Sequence, residues 1–156
     1  MTSLADMNPP SLPDFGDGNP FTDDRDGLVQ QIRERRAAVL AQLHESLLSG
    51  DDNGWIAAQR LAHWTDVVIV RVFEYIQDAL PDSRRTPMSL IGLGGYGRGQ
   101  LAPFSDIDLL FLTRNPISDP SAEAVEALLY VLWDSGFKVG QAVRSMRQCV
   151  TEANDG

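Results

Sequence analysis

Along the chain, hydrophobic positions fall first into a helical period, then into two short runs, then back into a helical period. Between Asp26 and Leu48, the residues Leu28, Ile32, Val39, Leu43 and Leu47 recur at the spacing of one helix face. Arg33, Glu34, Arg35 and Arg36 fill the other sides and read as a solvated face. The stretch Ser49-Gly50-Asp51-Asp52-Asn53-Gly54 breaks this period. A second helix is expected from Trp55 to Leu80, ending at Pro81. Its apolar positions Ile56, Leu61, Trp64, Val67, Val68, Val72, Phe73 and Ile76 form a wide stripe that needs cover on more than one side.

The period then changes. Met88 to Leu93 is a short apolar run, and a second begins at Asp106 and ends at Asn115-Pro116; both read as strands. Asp119 can cap a third helix with Pro120 in its first turn. Val125, Leu128, Leu129 and Leu132 give that helix its apolar face, and Gly136 closes it. Phe137, Val139, Gln141 and Val143 alternate with Lys138, Gly140, Ala142 and Arg144 as a strand does, and Met146 to Ala153 opens another helix. The order is helix, helix, strand, strand, helix, strand, helix, which implies an α+β chain with a small sheet. The expected division is a disordered tail over 1–25, a helical hairpin over 26–86, and an α/β core over 87–156. That core looks incomplete at its C-terminus.

Composition narrows the class without naming it. The 156 residues fit one domain of ordinary core size, and 43% hydrophobic with 22% charged residues is the balance of a soluble chain. Pro9, Pro10, Pro13 and Pro20 with several aspartates make the first segment too polar to offset its ordering entropy. A single cysteine, Cys149, excludes an internal disulfide. Neither a secretory signal nor a membrane span is visible, so the cytoplasm is the expected location. A formal charge of −9 speaks against a nucleic-acid backbone as partner, though not against a nucleotide bound in a local positive pocket. His44 and His63 stand alone, with no ligand-spaced neighbours.

The chemistry concentrates between Leu90 and Thr113. Gly92-Leu93-Gly94-Gly95-Tyr96-Gly97 matches the G-x-G-x-x-G pattern of dinucleotide-binding folds. That pattern requires a long helix after the loop, and Pro103 and Asp106 leave no room for one. The Rossmann reading is rejected. Gly94, Gly95, Gly97 and Gly99 still allow positive φ and close backbone approach, and successive N–H groups in such a turn form an anion-binding concavity. Arg98 adds a guanidinium fork suited to phosphate. Asp106 and Asp108, one residue apart on a strand, project to one face while Ile107, Leu109 and Phe111 point to the other. Such carboxylates repel unless a cation lies between them, and Mg²⁺ or Mn²⁺ suits hard oxygen ligands.

The segment GGYGRGQLAPFSDIDLL resembles the signature of the polymerase-β-like nucleotidyltransferases, a glycine-rich loop followed by an Asp-x-Asp strand. More narrowly, it is similar to the nucleotidyltransferase domain at the N-terminus of bacterial PII uridylyltransferases, which also remove uridylyl groups. Val139-Gly140-Gln141-Ala142-Val143-Arg144-Ser145 and Trp133-Asp134-Ser135-Gly136 match two further segments of that family. Gln100 stands where the family usually has Glu, and Gln141 where it usually has His. The resemblance covers about Leu28 to Glu152, and the helical tail, phosphohydrolase and regulatory domains of the family lie beyond it, so the chain looks like a fragment.

The resemblance implies transfer of UMP from UTP to a tyrosine of the PII nitrogen-signalling protein, with release of pyrophosphate. It assigns catalysis and metal binding to Asp106 and Asp108, and nucleotide contacts to Gly94, Gly95, Gly97, Arg98 and Ser105. A third carboxylate is expected further on, and Asp155 falls at that distance. Two other readings stay open: the same fold acting on another acceptor such as glutamine synthetase, and a catalytically silent module that binds nucleotide or protein.

Overall fold

The computed structural model describes residues 25–81 and 87–155. The expectation of a disordered tail falls on residues 1–24, outside that range, as does most of the polar connection expected between Pro81 and Pro87. Two long helices come first, α1 (Arg25–Ser49) and α2 (Gly54–Ala79). Then come β1 (Met88–Gly92), the single turn α3 (Gly94–Gly97) and β2 (Ile107–Thr113). The helix α4 (Asp119–Asp134) leads to β3 (Val139–Ser145) and α5 (Met146–Asp155). The fold is α+β, a small mixed sheet with helices preceding and covering it.

The turn between α1 and α2 is fixed by polar groups that its sequence supplies. Asn53 caps α2 by accepting the Ile56 amide at 3.0 Å. Asp52 accepts from Ser46 Oγ at 2.8 Å and pairs with Arg60 at 2.6 Å. The wide stripe of α2 is covered from two sides, by α1 and by α4. Leu61, Trp64, Val68, Val72 and Ile76 are all buried there. Leu28, Ile32, Val39 and Leu43 of α1 join them, but Leu47 does not: it lies beyond the contact and is 40% exposed.

The strands are ordered β1-β2-β3, with β2 in the centre. It pairs antiparallel with β1 (Leu90 opposite Phe111, Gly92 opposite Leu109) and parallel with β3 (Asp108 beside Gly140, Phe111 beside Val143). The antiparallel pairing independently excludes a dinucleotide-binding βαβ unit, since the strand after the glycines returns alongside the first. Burial alternates along β2 as its sequence requires: Ile107, Leu109, Phe111 and Thr113 are buried, while Asp108 is exposed. Phe111, at 0% exposure, packs into the same core as Trp64 and Leu128. Each such side chain contributes about 1.5–3 kcal/mol on burial. A slip of one residue would drive Asp108 into that core, so register and site are fixed together.

Among the boundaries that differ from the sequence expectation, two have a clear hydrogen-bonding cause. β2 starts at Ile107, whose amide bonds the Lys138 carbonyl at 2.8 Å, so Asp106 lies just before the strand rather than in it. The cap of α4 is Ser118, not Asp119. The Ser118 carbonyl accepts the Ser121 and Ala122 amides at 3.0 and 2.9 Å, which leaves Asp119 as the first helical residue. Gly136 ends the helix region at φ +85, as a left-handed closing residue should.

Candidate active site

The glycine-rich segment is not an open loop but one helical turn clamped at both ends. The Leu93 amide bonds the Asp108 carbonyl at 2.8 Å, which ties its start to β2. Four amides are consumed within the segment: Gly97 to Leu93, Arg98 and Gln100 to Gly95, and Gly99 to Tyr96. The amides of Gly94, Gly95 and Tyr96 open the turn, where a helix has no preceding carbonyl of its own to offer them.

The four glycines have different causes. Only Gly94 and Gly99 take positive φ, at +59 and +71. Gly97 is needed for space: a Cβ there would stand 2.4 Å from the Gly92 carbonyl oxygen, which no rearrangement of side chains relieves. Gly95 is crowded by the Gln100 carbonyl, 3.2 Å from a Cβ built on it. The expectation that these glycines serve positive φ or approach to a ligand is therefore corrected for Gly95 and Gly97, where close packing against the chain's own backbone is the reason for glycine.

Asp108 is the centre of the geometry. A Cβ at Gly94 would lie 3.0 Å from its Oδ2, and a Cβ at Gly140 would lie 2.7 Å from its Oδ1. The carboxylate thus stands between two glycines, one from the turn after β1 and one from β3. Gly140 was not singled out from the sequence, although a glycine inside a strand pattern is itself a signal of close approach. Asp108 lies on the exposed side of β2, opposite the buried Ile107 and Leu109, and Asp106, just before the strand, is exposed as well. Neither has an ion-pair or hydrogen-bond partner among the described residues.

The other expected contacts are distributed unevenly. Arg98 is exposed at the end of the turn and unpaired among the described residues. Ser105 donates its hydroxyl to the Ala102 carbonyl at 2.8 Å, closing the turn in which Phe104 takes φ +68. A β-branched or bulky residue seldom adopts that conformation, and this one directly precedes Ser105 and Asp106. Asp155 closes α5, on a helix rather than a strand, and its side chain lies outside the described part of the structure. Among the described residues, no three His, Cys, Asp or Glu side chains come together.

A second anchor went unread in the sequence. Tyr96, buried in the middle of the turn, donates its hydroxyl to Asp66 of α2 at 2.6 Å. Burial, with the Asp66 carboxylate accepting its hydrogen, holds the Tyr96 hydroxyl far above the usual phenol range. Its ring covers Gly92, and the two line a cleft of about 680 Å³ with Asp66, Phe73 and Leu109. This cleft opens on the Leu109 face of the sheet, behind the carboxylates. Only the tertiary pairing of α2 with the turn could reveal it.

Asp106 and Asp108, exposed and without partners among the described residues, are hard oxygen donors of the kind that could hold a divalent cation. No family model matches the chain. It is, however, 37% identical over 140 residues to a bifunctional uridylyltransferase/uridylyl-removing enzyme of Rhodospirillum rubrum. The resemblance to that family is shown. The match takes in 80% of this chain but only 15% of the relative, so the chain spans a small part of the enzyme it resembles. No helix among the described residues is long and apolar enough to cross a membrane.

Proposed function

We propose that this chain carries the nucleotide-handling part of a metal-dependent nucleotidyltransferase that moves UMP from UTP to a tyrosine of the PII signalling protein in the cytoplasm. The observation that carries the reading is the Asp108 carboxylate, set between Gly94 and Gly140, with Asp106 exposed just before the same strand. Similarity to the uridylyltransferase supports the choice of UTP over other triphosphates.

Asp106 and Asp108 would hold the divalent ions. When bound, these supply Lewis-acid polarisation at the α-phosphate and neutralise charge on the leaving pyrophosphate. The chain's own part is positional. Rigid pairing of Asp108 with the Gly140 register fixes one carboxylate. The Gly94, Gly95 and Tyr96 amides face the end of the turn where phosphate oxygens would lie. Arg98 supplies a cation at the same turn. The acceptor's tyrosine oxygen, losing its proton to solvent, would attack the α-phosphorus, the bond from that phosphorus to the bridging oxygen would break, and pyrophosphate would leave with that oxygen, the nucleophile coming entirely from the partner.

The test is calorimetric titration of UTP in the presence of Mg²⁺. Asp108→Asn should weaken binding at least tenfold, about 1.4 kcal/mol. Equal binding by the variant overturns the site. Parallel titration with ATP tests the base, and labelled UMP incorporation into PII tests the acceptor. A chain that binds Mg²⁺-UTP but transfers nothing would favour the silent-module reading. Asp155, at the spacing expected for a third carboxylate, closes α5, and an Asp155→Asn variant in the same titration tests whether it contributes.

A further inference from the structure

The connection between α4 and β3 gathers polar groups that the site at Asp108 does not use. The arginine cluster of α1 is not simply a solvated face, as its sequence suggested. Arg33 donates to the Asp134 carbonyl, and Arg36 lies half-buried with its guanidinium 5.1 Å from the centroid of Phe137. Arg36 has no ion-pair or hydrogen-bond partner among the described residues. Burial lowers its affinity for its proton, the mark of a cation removed from water without a counter-charge.

Thr65 of α2 stands close by. It is 0% exposed, and its Oγ1 has no hydrogen-bond partner among the described residues. Buried hydroxyls without partners are rare because the desolvation cost, about 1–3 kcal/mol, goes unanswered. Thr65 and Arg36 line one cavity of about 70 Å³, with Ser105, Phe137 and Lys138 among its walls. That space is several times the roughly 10–15 Å³ that one ordered water needs. Lys138 is exposed, so a second cation reaches the rim from solvent.

A water could satisfy Thr65 but would leave the charge of Arg36 unanswered. An oxyanion answers both, since its oxygens accept from the guanidinium, the ammonium and the hydroxyl. We propose that this cavity binds a small tetrahedral oxyanion of the phosphate class, held by Arg36 and Lys138 and capped by the Thr65 hydroxyl. The site is separate from the nucleotide's own phosphates. Ile107, one of its walls, points to the opposite side of β2 from Asp108. Its other wall, Ser105, and Ile107 flank Asp106, so an anion bound here would brace the segment that carries one of the two carboxylates.

The experiment titrates inorganic phosphate into the 156-residue chain at constant ionic strength, with chloride as the balancing anion, and follows heat of binding and thermal unfolding. Saturable stabilisation by phosphate is expected. Lys138→Met and Arg36→Met should each weaken it at least tenfold. Thr65→Val should weaken it severalfold without loss of stability in phosphate-free buffer, because it removes the orphaned hydroxyl and keeps the shape. Asp108→Asn should leave phosphate binding unchanged. The proposal is overturned if the unmodified chain shows no saturable effect, or if Asp108→Asn changes the affinity severalfold in either direction, which would place the anion at the nucleotide site. Should Arg36→Met fail to fold, the exposed Lys138→Met decides, and undiminished affinity there also overturns the proposal.

Discussion

Gly140→Ala places a methyl carbon where an oxygen of Asp108 now lies. The built Cβ would stand 2.7 Å from Oδ1 and 3.9 Å from the carboxyl carbon. Ordinary contact begins near 3.4 Å, so the carboxylate must retreat by about 0.7 Å. The backbone cannot supply that movement cheaply, because Asp108 and Gly140 are register partners in the β2–β3 ladder. The side chain must therefore swing away from Gly140 and leave its position between the two glycines. Misplacement on the scale of 1 Å costs about a hundredfold in a positioned site, so Mg²⁺-UTP affinity should fall between about tenfold and a hundredfold. That is about 1.4–2.7 kcal/mol. Stability should change by less than about 1 kcal/mol, since both groups are exposed. Calorimetry with UTP and Mg²⁺, beside urea unfolding, separates the two effects. Gly54→Ala, with nothing within 4 Å, serves as the neutral control. A folded Gly140→Ala chain that binds within twofold of the unmodified one would refute the cradle.

Gly97→Ala acts on the fold instead: with a backbone oxygen 2.4 Å away, it should cost about 3 kcal/mol or prevent folding, as denaturant titration would show. Tyr96 adds a pH dependence. Its folded-state affinity for the proton is raised above the unfolded value of 10.0, so its contribution is complete below pH 10 and is lost as pH rises above it. Stability should fall there by up to about 1.4 kcal/mol per pH unit, and Tyr96→Phe should remove that slope. Phe111→Ala, in the middle of β2, should cost about 3–5 kcal/mol in denaturant unfolding while leaving the carboxylates' face unaltered.

What the sequence made legible was whatever a local period or motif encodes. The helices α1, α2 and α4 and all three strands follow from spacing, because each buries one face against a common core. The side of β2 that carries Asp108 followed from alternation alone. What stayed hidden depends on which segments meet. Gly140 is an ordinary strand glycine until β3 lies beside Asp108. Asp66 is a surface carboxylate of α2 until Tyr96 reaches it. Arg36 looked solvated because helical spacing says nothing of the Phe137 ring beneath it. The sequence suggested positive φ or close approach to a ligand for the glycines of the turn, yet at Gly97 the cause is the Gly92 carbonyl, a contact between backbone atoms that no propensity registers.

The two sides of β2 also differ in when they form. Its antiparallel side closes through the turn after β1, whereas its parallel side must wait until α4 has crossed back to lay β3 down. Short closures precede long ones because they surrender less chain entropy. Asp108 should therefore meet Gly94 early and Gly140 late, so that a chain emerging from the ribosome carries its acidic residues well before it carries a site. Pulse-labelled hydrogen exchange can time this. The Leu93 amide, bonded to Asp108, should gain protection before the Ile107 amide, bonded to Lys138, and the reverse order would mean that the crossover nucleates the sheet.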